Sequence, residues 1–281
     1  MMVTIIGRGH SGTRVMSHTL SASGVYMGAE LNESGDLIPP EDCYEACRVM
    51  AKYVVHKGGL EWDFSRVHTM PIDPEFARLV ESYLSSVLSA VSRESPTAGI
   101  PWRRPHALRA WVGWKLPETT LVYPWVVRMF PDIYYIHWVR DPRDSIIGAH
   151  LTDDLSDFGV PYDKPETVGA TRGVAQGECT TRLYNERDDV RLMRAISWKY
   201  QREIVRATPP PKRTIQVQFE DFVLKQDETL RRLEAFLGLP LAKIEVRRDP
   251  IGRWKTDEGR HYFDFFAEDL EELGYEVAAS E

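Results

Sequence analysis

The feature that most constrains the fold is a glycine-rich loop between an apolar run and a helical segment near the N-terminus. Residues 2–6 are mostly apolar and β-branched and predict a strand, while Arg14 to Ser21 predicts a helix. Gly7, Gly9 and Gly12 stand in the segment between them. Such a loop presents backbone N–H groups and the positive end of the helix dipole, which together bind anions. The segment therefore predicts an α/β fold with an anion-binding loop.

Apolar runs further along the chain are typical of a parallel sheet covered by helices on both faces. Residues 133–139 are rich in β-branched and aromatic side chains, as in a strand buried on both sides, and residues 215–219 predict another strand. Amphipathic repeats predict helices over residues 74–91 and 228–237. We therefore predict one three-layer α/β/α domain over residues 1–281, with a central and mainly parallel sheet.

Charge and cysteine usage narrow the classes of partner. The chain carries 35 Lys and Arg against 42 Asp and Glu, a formal net charge of −7, which argues against non-specific binding to nucleic acid or anionic lipid. Its 3 cysteines form no Cys-x-x-Cys pair, so neither a disulfide framework nor a zinc site is indicated. The first apolar run is too short for a signal segment or a membrane span. We expect a cytoplasmic protein with no metal, no nucleic-acid partner and no membrane span, and the oligomeric state stays open.

The glycine spacing fits a dinucleotide-binding loop. Gly7, Gly9 and Gly12 match the G-x-G-x-x-G pattern, and Glu30 stands near the position of a ribose-binding acid. This pattern alone is weak evidence. An NAD-dependent oxidoreductase also requires a regular succession of strands and helices through residues 37–110, and that region is instead helical and irregular in pattern.

The same residues also fit two other phosphate loops. As a Walker A loop the segment lacks its two key parts, because Thr13 replaces the phosphate-binding lysine and Arg14 replaces the metal-binding Ser or Thr. A metal-dependent kinase is therefore disfavoured. A loop that holds one phosphosulfate through Ser11 to Thr13 needs neither part. A glycine-rich turn without any ligand is the remaining alternative.

The segment His10-Ser11-Gly12-Thr13-Arg14 resembles the 5′-phosphosulfate loop of the sulfotransferases that use 3′-phosphoadenosine-5′-phosphosulfate (PAPS). That loop commonly reads Lys/Arg-Ser-Gly-Thr-Thr/Ser. His10 replaces the usual cation, and we expect Arg14 to supply the displaced charge. The resemblance implies a P-loop NTPase-like sulfotransferase fold, with 3′-phosphoadenosine-5′-phosphate (PAP) as the product. It also implies a donor loop made of Arg8, Gly9, His10, Ser11, Gly12, Thr13 and Arg14.

A second basic segment follows the predicted strand over residues 133–139. The segment from Arg140 to Ser145 lies where an open α/β sheet presents its ligand crevice. It resembles the family's 3′-phosphate motif, which opens with Arg and ends in a Ser eight residues later, a position that is Gly148 here. The resemblance implies that Arg140 binds the 3′-phosphate, with Ser145 or Arg143 in place of the absent serine. The alternative is a solvated cluster of charges.

Two later segments extend the resemblance. Gln218 to Asp221 resembles the family's Tyr-Glu-Asp segment at the end of a sheet strand, with Phe219 for the tyrosine. Residues 251–255 resemble the late loop that closes over the nucleotide. The resemblance therefore implies further donor contacts from Gly252, Arg253 and Trp254.

Sulfuryl transfer needs a cation at the bridging oxygen and a base for the acceptor. Lys115 resembles the lysine of the family's Lys-Thr-Pro segment, and His10 is a second cation candidate because histidine titrates near neutral pH. For the base we favour Glu33 or Asp36, in a loop after a second predicted strand. Glu118 and His106 are alternatives.

The acceptor is the least determined part of the prediction. The resemblance implies a hydroxyl or amine of a small molecule or carbohydrate, and the aromatic residues before Arg140 suit either an acceptor or a core. The long polar stretch over residues 152–189 predicts an acceptor-side flap. Because His10 and Gly148 depart from the family pattern, a catalytically inactive nucleotide-binding module is the remaining alternative to a sulfotransferase.

Overall fold

The computed structural model describes residues 1–92, 111–163, 186–256 and 263–277. The strands are β1 (Met2–Ile6), β2 (Val55–Gly58), β3 (Glu61–Asp63), β4 (Val112–Lys115), β5 (Tyr134–Val139) and β6 (Thr214–Gln218). The α-helices are α1 (Thr13–Ala22), α2 (Glu41–Ala51), α3 (Ser65–Thr69), α4 (Pro74–Tyr83), α5 (Ser85–Ser92), α6 (Tyr123–Met129), α7 (Pro142–Ser145), α8 (Glu186–Ala207), α9 (Phe219–Leu224), α10 (Gln226–Leu237) and α11 (Ala267–Glu272). Short 3₁₀ helices cover Pro117–Val122, Leu151–Asp153, Leu155–Phe158, Arg253–Thr256 and Asp264–Phe266.

The main sheet is parallel, with strand order β4-β1-β5-β6 in the described residues. The glycine-loop strand β1 lies in the middle, where Ile5 pairs with Lys115 of β4 and Ile6 pairs with His137 of β5. On the other side of β5, Val139 pairs with Gln218 of β6. Because all four strands run in the same direction, their carboxyl ends meet at one edge of the sheet. The predicted parallel sheet is confirmed.

Two hydrophobic cores cover the two faces of this sheet. Val3 and Ile5 of β1 are buried with residues of α1, α9 and α10, whereas Ile6 is buried with residues of α2, α4, α6 and α8. Side chains of a strand alternate between its faces, so a strand covered on both sides must be mostly apolar at successive positions, as β1 and β5 are apart from Thr4 and His137. The three-layer α/β/α arrangement is therefore confirmed.

Several predicted elements differ in detail from the observed ones. The helix predicted over residues 74–91 is interrupted at Leu84 and forms α4 and α5 instead. The second predicted strand, before residue 30, is reduced to one bridge between Tyr26 and Val112. Gly24 and Gly28, with φ of 86° and 115°, bracket this short segment, and such left-handed conformations interrupt a strand.

The described start of the predicted flap is part of the folded core. Leu155 and Phe158 are each 1% exposed, and they pack in the core on the α2 face of the sheet. Helix α8 begins at Glu186, inside the predicted flap. Residues 164–185 lie outside the described residues, so the flap assignment stays a prediction for them. Among the described helices, including the long α8, none combines the length and the apolar character that a membrane crossing requires.

Candidate active site

A cavity of about 430 Å³ opens at the carboxyl edge of the parallel sheet. The loop after β1, the last residue of β4, the first residue after β5 and the first residue after β6 all contribute to its wall. This is the edge at which open α/β sheets bind ligands. The cavity is lined by Gly9, His10, Gly12, Thr13, Arg14, Val15, His18, Ser34, Asp36, Lys115, Pro117, Arg140, His150, Phe219, residues 244–247 and Pro250.

The glycine-rich loop turns sharply into the N-terminus of α1. Gly12 has φ of 83°, and a side chain there would place its Cβ 2.5 Å from the ring of Phe219, so only glycine fits. No side chain caps the first turn of α1, and that turn contains no acidic residue. Unpaired N–H groups and the helix dipole therefore face the cavity, as expected of a phosphate site.

Arg8 is turned away from the cavity, contrary to a direct side-chain contact with the donor. Its side chain is 3% exposed and forms an ion pair with Asp153. The guanidinium also donates to the carbonyl oxygens of Gly9 and Ser145, at 3.2 Å and 3.1 Å. Burial lowers the pKa of Arg8 to about 10, which leaves it charged at neutral pH. Arg8 therefore fixes the loop from behind.

Two predicted donor contacts through serine hydroxyls are likewise used internally. Ser11 is buried, does not line the cavity, and its carbonyl oxygen accepts a hydrogen bond from Trp138 Nε1 at 2.9 Å. Ser145 is fully buried, and its Oγ donates to the carbonyl of Asp141 at 3.0 Å. Neither serine lines the cavity, so neither hydroxyl is placed to meet a ligand there.

Lys115 and Asp36 form an ion pair on the wall of the cavity. The Lys115 side chain is 3% exposed and that of Asp36 is 14% exposed. Nζ of Lys115 also donates to the carbonyl of Ser34 at 3.3 Å, and Nδ2 of Asn32 donates to Asp36 Oδ2 at 2.9 Å. Burial lowers the pKa of Lys115, and Asp36 acts in the opposite direction. The structure thus brings the predicted cation and one predicted base together.

The other predicted bases occupy different environments. Glu33 is exposed and does not line the cavity. Glu118 is 2% exposed, does not line the cavity, and its Oε2 has no hydrogen-bond partner among the described residues. Burial raises the pKa of Glu118 to about 7. His106 lies outside the described residues. Geometry therefore favours Asp36 as the acid nearest to Lys115 in the cavity.

Arg140 stands at another part of the cavity wall, after β5. Its guanidinium donates to the carbonyl of His10 at 2.8 Å and to that of Pro250, and it lies 4.8 Å from the ring centre of Phe219. Oδ2 of Asp144 lies 3.7 Å from Nη2 of Arg140, and no residue in the described part of the chain accepts a hydrogen bond from Arg140 Nε. The Arg140 side chain is therefore fixed in position, and its guanidinium still has N–H groups that can donate to a ligand.

The segment after Pro250 is fixed beside Arg140 through a shared carboxylate. The backbone N–H groups of Gly252 and Trp254 donate to Asp144 at 2.7 Å and 3.0 Å, and the Trp254 ring centre lies 3.8 Å from the guanidinium carbon of Arg143. Arg253 is exposed. Burial lowers the pKa of Arg140, and the positive charge of Arg253 lowers it further. None of the predicted contacts Gly252, Arg253 and Trp254 lines the cavity itself.

The two departures from the expected family pattern lie against each other. A Cβ atom at Gly148 would come within 2.7 Å of His10 Nδ1, so the serine of the 3′-phosphate motif would fit there only if this ring moved. His10 has φ of 60°, a left-handed conformation that is uncommon outside glycine. Loss of water around the ring and the charge of Arg8 lower the pKa of His10. This environment argues against the cationic role predicted for His10.

Sequence reasoning missed His150, which lines the cavity. It follows α7 on a stretch without periodicity, so no local pattern marks it as part of a site. His18 and residues 244–247 were missed as well, because their place on the wall depends on the packing of α1 and of the segment after α10. No group of three or more metal-binding side chains is present within the described part of the chain.

The fold and cavity define an α/β protein with a glycine-rich loop and separate cations at one edge of its sheet. The family model described as "Sulfotransferase family" matches residues 3–243, and the chain therefore belongs to that family. The solved structure of a sulfotransferase domain from the curacin biosynthetic pathway is similar at a TM-score of 0.53 and 14% identity, covering 98% of both chains. A sulfotransferase from Alicyclobacillus acidocaldarius matches at a TM-score of 0.40 and 14% identity, over 99% of this chain and 97% of that one. The search of curated proteins found no match.

Proposed function

We propose that this sulfotransferase takes the sulfuryl group of PAPS and transfers it to a hydroxyl or amine of a small-molecule or carbohydrate acceptor. The observation that carries the proposal is the pairing of two separate anion sites on one cavity. One is the uncapped start of α1 with Lys115 beside it, and the other is Arg140. PAPS carries one charged group at each end of its ribose, so it requires two such sites.

The structure supports PAPS over a nicotinamide dinucleotide as the ligand. Glu30, the residue that would bind the ribose of NAD, is exposed and does not line the cavity. Between α1 and β4, the described residues up to 92 form α2, the β2-β3 hairpin and three more helices, and none of them forms the strand that a dinucleotide-binding fold places next in the sheet. The glycine spacing alone therefore gives little support to an oxidoreductase.

The reaction that fits the cavity is a direct transfer between two oxygen atoms. Asp36 accepts the proton of the acceptor hydroxyl, the acceptor oxygen bonds to sulfur, and the bond from sulfur to the bridging phosphate oxygen breaks. The leaving oxygen gains negative charge, which Lys115 neutralises. The products are the sulfated acceptor, PAP and a proton.

The Lys115–Asp36 ion pair suggests how the donor prepares the base. Without donor, Asp36 accepts hydrogen bonds from Lys115 and Asn32. A phosphosulfate beside Lys115 would compete for the Nζ donors, which would free a carboxylate oxygen of Asp36 to accept from the acceptor hydroxyl. Because Arg and Lys side chains meet the charges of the donor, we propose that no metal ion is needed.

The test is a calorimetric titration of PAP, 5′-AMP and NAD⁺ into the wild type and into Arg140→Ala without Mg²⁺. We expect PAP to bind in preference to the other two, and the substitution to weaken it by about 30-fold or more because a buried charged contact is lost. The matched control is Arg231→Ala, which removes an exposed arginine of α10 outside the cavity. Preference for NAD⁺, or binding of PAP only with Mg²⁺, would contradict the proposal.

A second experiment separates an enzyme from an inactive nucleotide-binding module. Incubation of PAPS carrying labelled sulfur with a panel of alcohols, amines and sugars measures transfer directly. We expect PAP release to depend on an acceptor and to be lost in Lys115→Met, which keeps most of the side-chain volume but removes the charge. PAP binding without turnover on any acceptor would favour the inactive module.

A further inference from the structure

His150 forms a wall of the cavity directly against the phosphate loop. A Cβ atom at Gly9 would lie 2.1 Å from Nε2 of His150, so this nitrogen is in contact with the loop only because residue 9 is glycine. The imidazole also meets the ring of His10 edge to face, with ring centres 5.7 Å apart. The Nε2 edge of His150 is therefore placed beside the loop that would hold the 5′-phosphosulfate.

The hydrogen bonds of the other ring nitrogen fix the tautomer. The backbone N–H of Thr152 donates to Nδ1 of His150 at 3.2 Å, and Thr152 Oγ1 lies 3.0 Å from the same atom. A backbone N–H can only donate, so Nδ1 accepts and the neutral ring carries its proton on Nε2. The backbone N–H of His150 donates to Asp153 Oδ2 at 2.7 Å, which holds this turn in place.

The Nε2–H group itself makes no hydrogen bond to any described residue. The nearest carboxylate oxygen, Glu118 Oε1, is 4.0 Å from Nε2, beyond hydrogen-bond distance. Burial, and then chiefly the positive charge of Arg8, lowers the pKa of His150 to about 3. The ring therefore stays neutral and keeps an unused donor at a place where the surrounding charges attract an anion.

We propose that His150 is a catalytic residue that donates its Nε2–H to an oxygen of the transferring sulfuryl group. This inference rests on the proposed function. The contact is a hydrogen bond and moves no proton, because the neutral ring has no free nitrogen to act as a base. Negative charge on the sulfuryl oxygens and the leaving phosphate is stabilised by Lys115 on one side and by His150 beside the loop.

Three substitutions distinguish this role from packing and from base catalysis. His150→Gln can place an amide N–H close to the position of Nε2, whereas His150→Asn reaches only the position of Nδ1, and His150→Ala has neither donor. We expect His150→Gln to keep kcat within about tenfold of the wild type, and His150→Ala and His150→Asn to lose about 100-fold. PAP carries no sulfuryl group, so its affinity should stay unchanged in all three.

Two results would overturn the inference. Equal losses of kcat in the Gln and Asn variants would show that the Nε2–H is not the operative group. A loss of PAP affinity as large as the loss of kcat would place the contact at the phosphate. A wild type that neither binds PAP nor turns over PAPS would instead refute the proposed function.

A measurement on the wild-type protein tests the tautomer of His150, and it relies neither on the folding of a variant nor on activity. Nitrogen-15 NMR of the histidine rings should show His150 protonated on Nε2 and unprotonated on Nδ1 from about pH 5 to about pH 8, as its lowered pKa requires. A proton on Nδ1, or a titration within this range, would refute the assignment.

Discussion

Glu118 is a buried acid whose ionisation should make the stability of the fold depend on pH. Glu118 is 2% exposed, no described residue donates a hydrogen bond to its Oε2, and His150, Lys115 and Asp36 lie around it. Burial raises the pKa of Glu118 from 4.5 to about 7. A carboxyl with a raised pKa in the folded state contributes its full stability below pH 4.5, and that contribution is lost as the pH rises through about 7.

The size of the effect follows from the shift in pKa. Each unit of pKa corresponds to about 1.4 kcal/mol, so ionising Glu118 in the folded protein costs about 3 kcal/mol. Glu118→Gln keeps the shape of the side chain and cannot ionise. The free energy of unfolding of this variant, relative to that of the wild type, should therefore rise by about 3 kcal/mol between about pH 4 and about pH 9.

Urea denaturation followed by circular dichroism at these two pH values measures the change. Glu33→Gln is the matched control, because Glu33 is exposed and its substitution should leave the pH dependence of the wild type unchanged. If the wild type and Glu118→Gln show the same pH dependence, Glu118 does not ionise with a raised pKa and the argument from burial is wrong.

Three further predictions concern the loop and the cation beside it. Asp153→Asn should lower the free energy of unfolding by about 3 kcal/mol or more in urea denaturation, because Arg8 is left buried without its charged partner; a loss below about 1 kcal/mol would contradict this. Gly148→Ser should weaken PAP binding by about tenfold, because the serine contacts the His10 ring, and adding His10→Ala to this variant should restore the affinity. If calorimetry gives the same PAP affinity for Gly148→Ser and for the double variant, the steric explanation is wrong. Lys115→Met should reduce kcat by about 100-fold with PAP affinity changed much less, and an equal loss of both would place Lys115 in ground-state binding.

The sheet and the glycine-rich loop are predictable because the sequence patterns that indicate them are local. A β-branched run, a glycine at residue 12 in the left-handed conformation and the start of a helix follow one another within a few residues. Each of these elements therefore helps to identify the one that follows it. The run over residues 133–139 is equally direct, since a strand buried on both faces must be apolar at successive positions. Lys115 was found differently, through its resemblance to the family's Lys-Thr-Pro segment, and it is the last residue of β4.

The directions of the charged side chains in the loop were not predictable. Arg8 was expected to face the donor, but its partner Asp153 stands 145 residues away in the sequence, and no local pattern links the two. His150 was missed as well. Its contact with Gly9 forms only in the folded chain, and the hydrogen bond from the Thr152 backbone that orients its ring leaves no mark in the sequence. Long-range partners, rather than local propensity, decide which polar residues of this site meet a ligand.

The contact between His10 and Gly148 has a consequence for how this sequence diverged from the common family pattern. Where the family pattern has a lysine or arginine in the loop and a serine after α7, this chain has a histidine ring and a glycine that fit each other. A serine at residue 148 would displace the His10 ring from its present position, whereas glycine leaves room for it. Among related sequences, a histidine or larger ring at residue 10 should therefore co-occur with glycine at residue 148, and a serine there should be confined to sequences with a flexible side chain at residue 10.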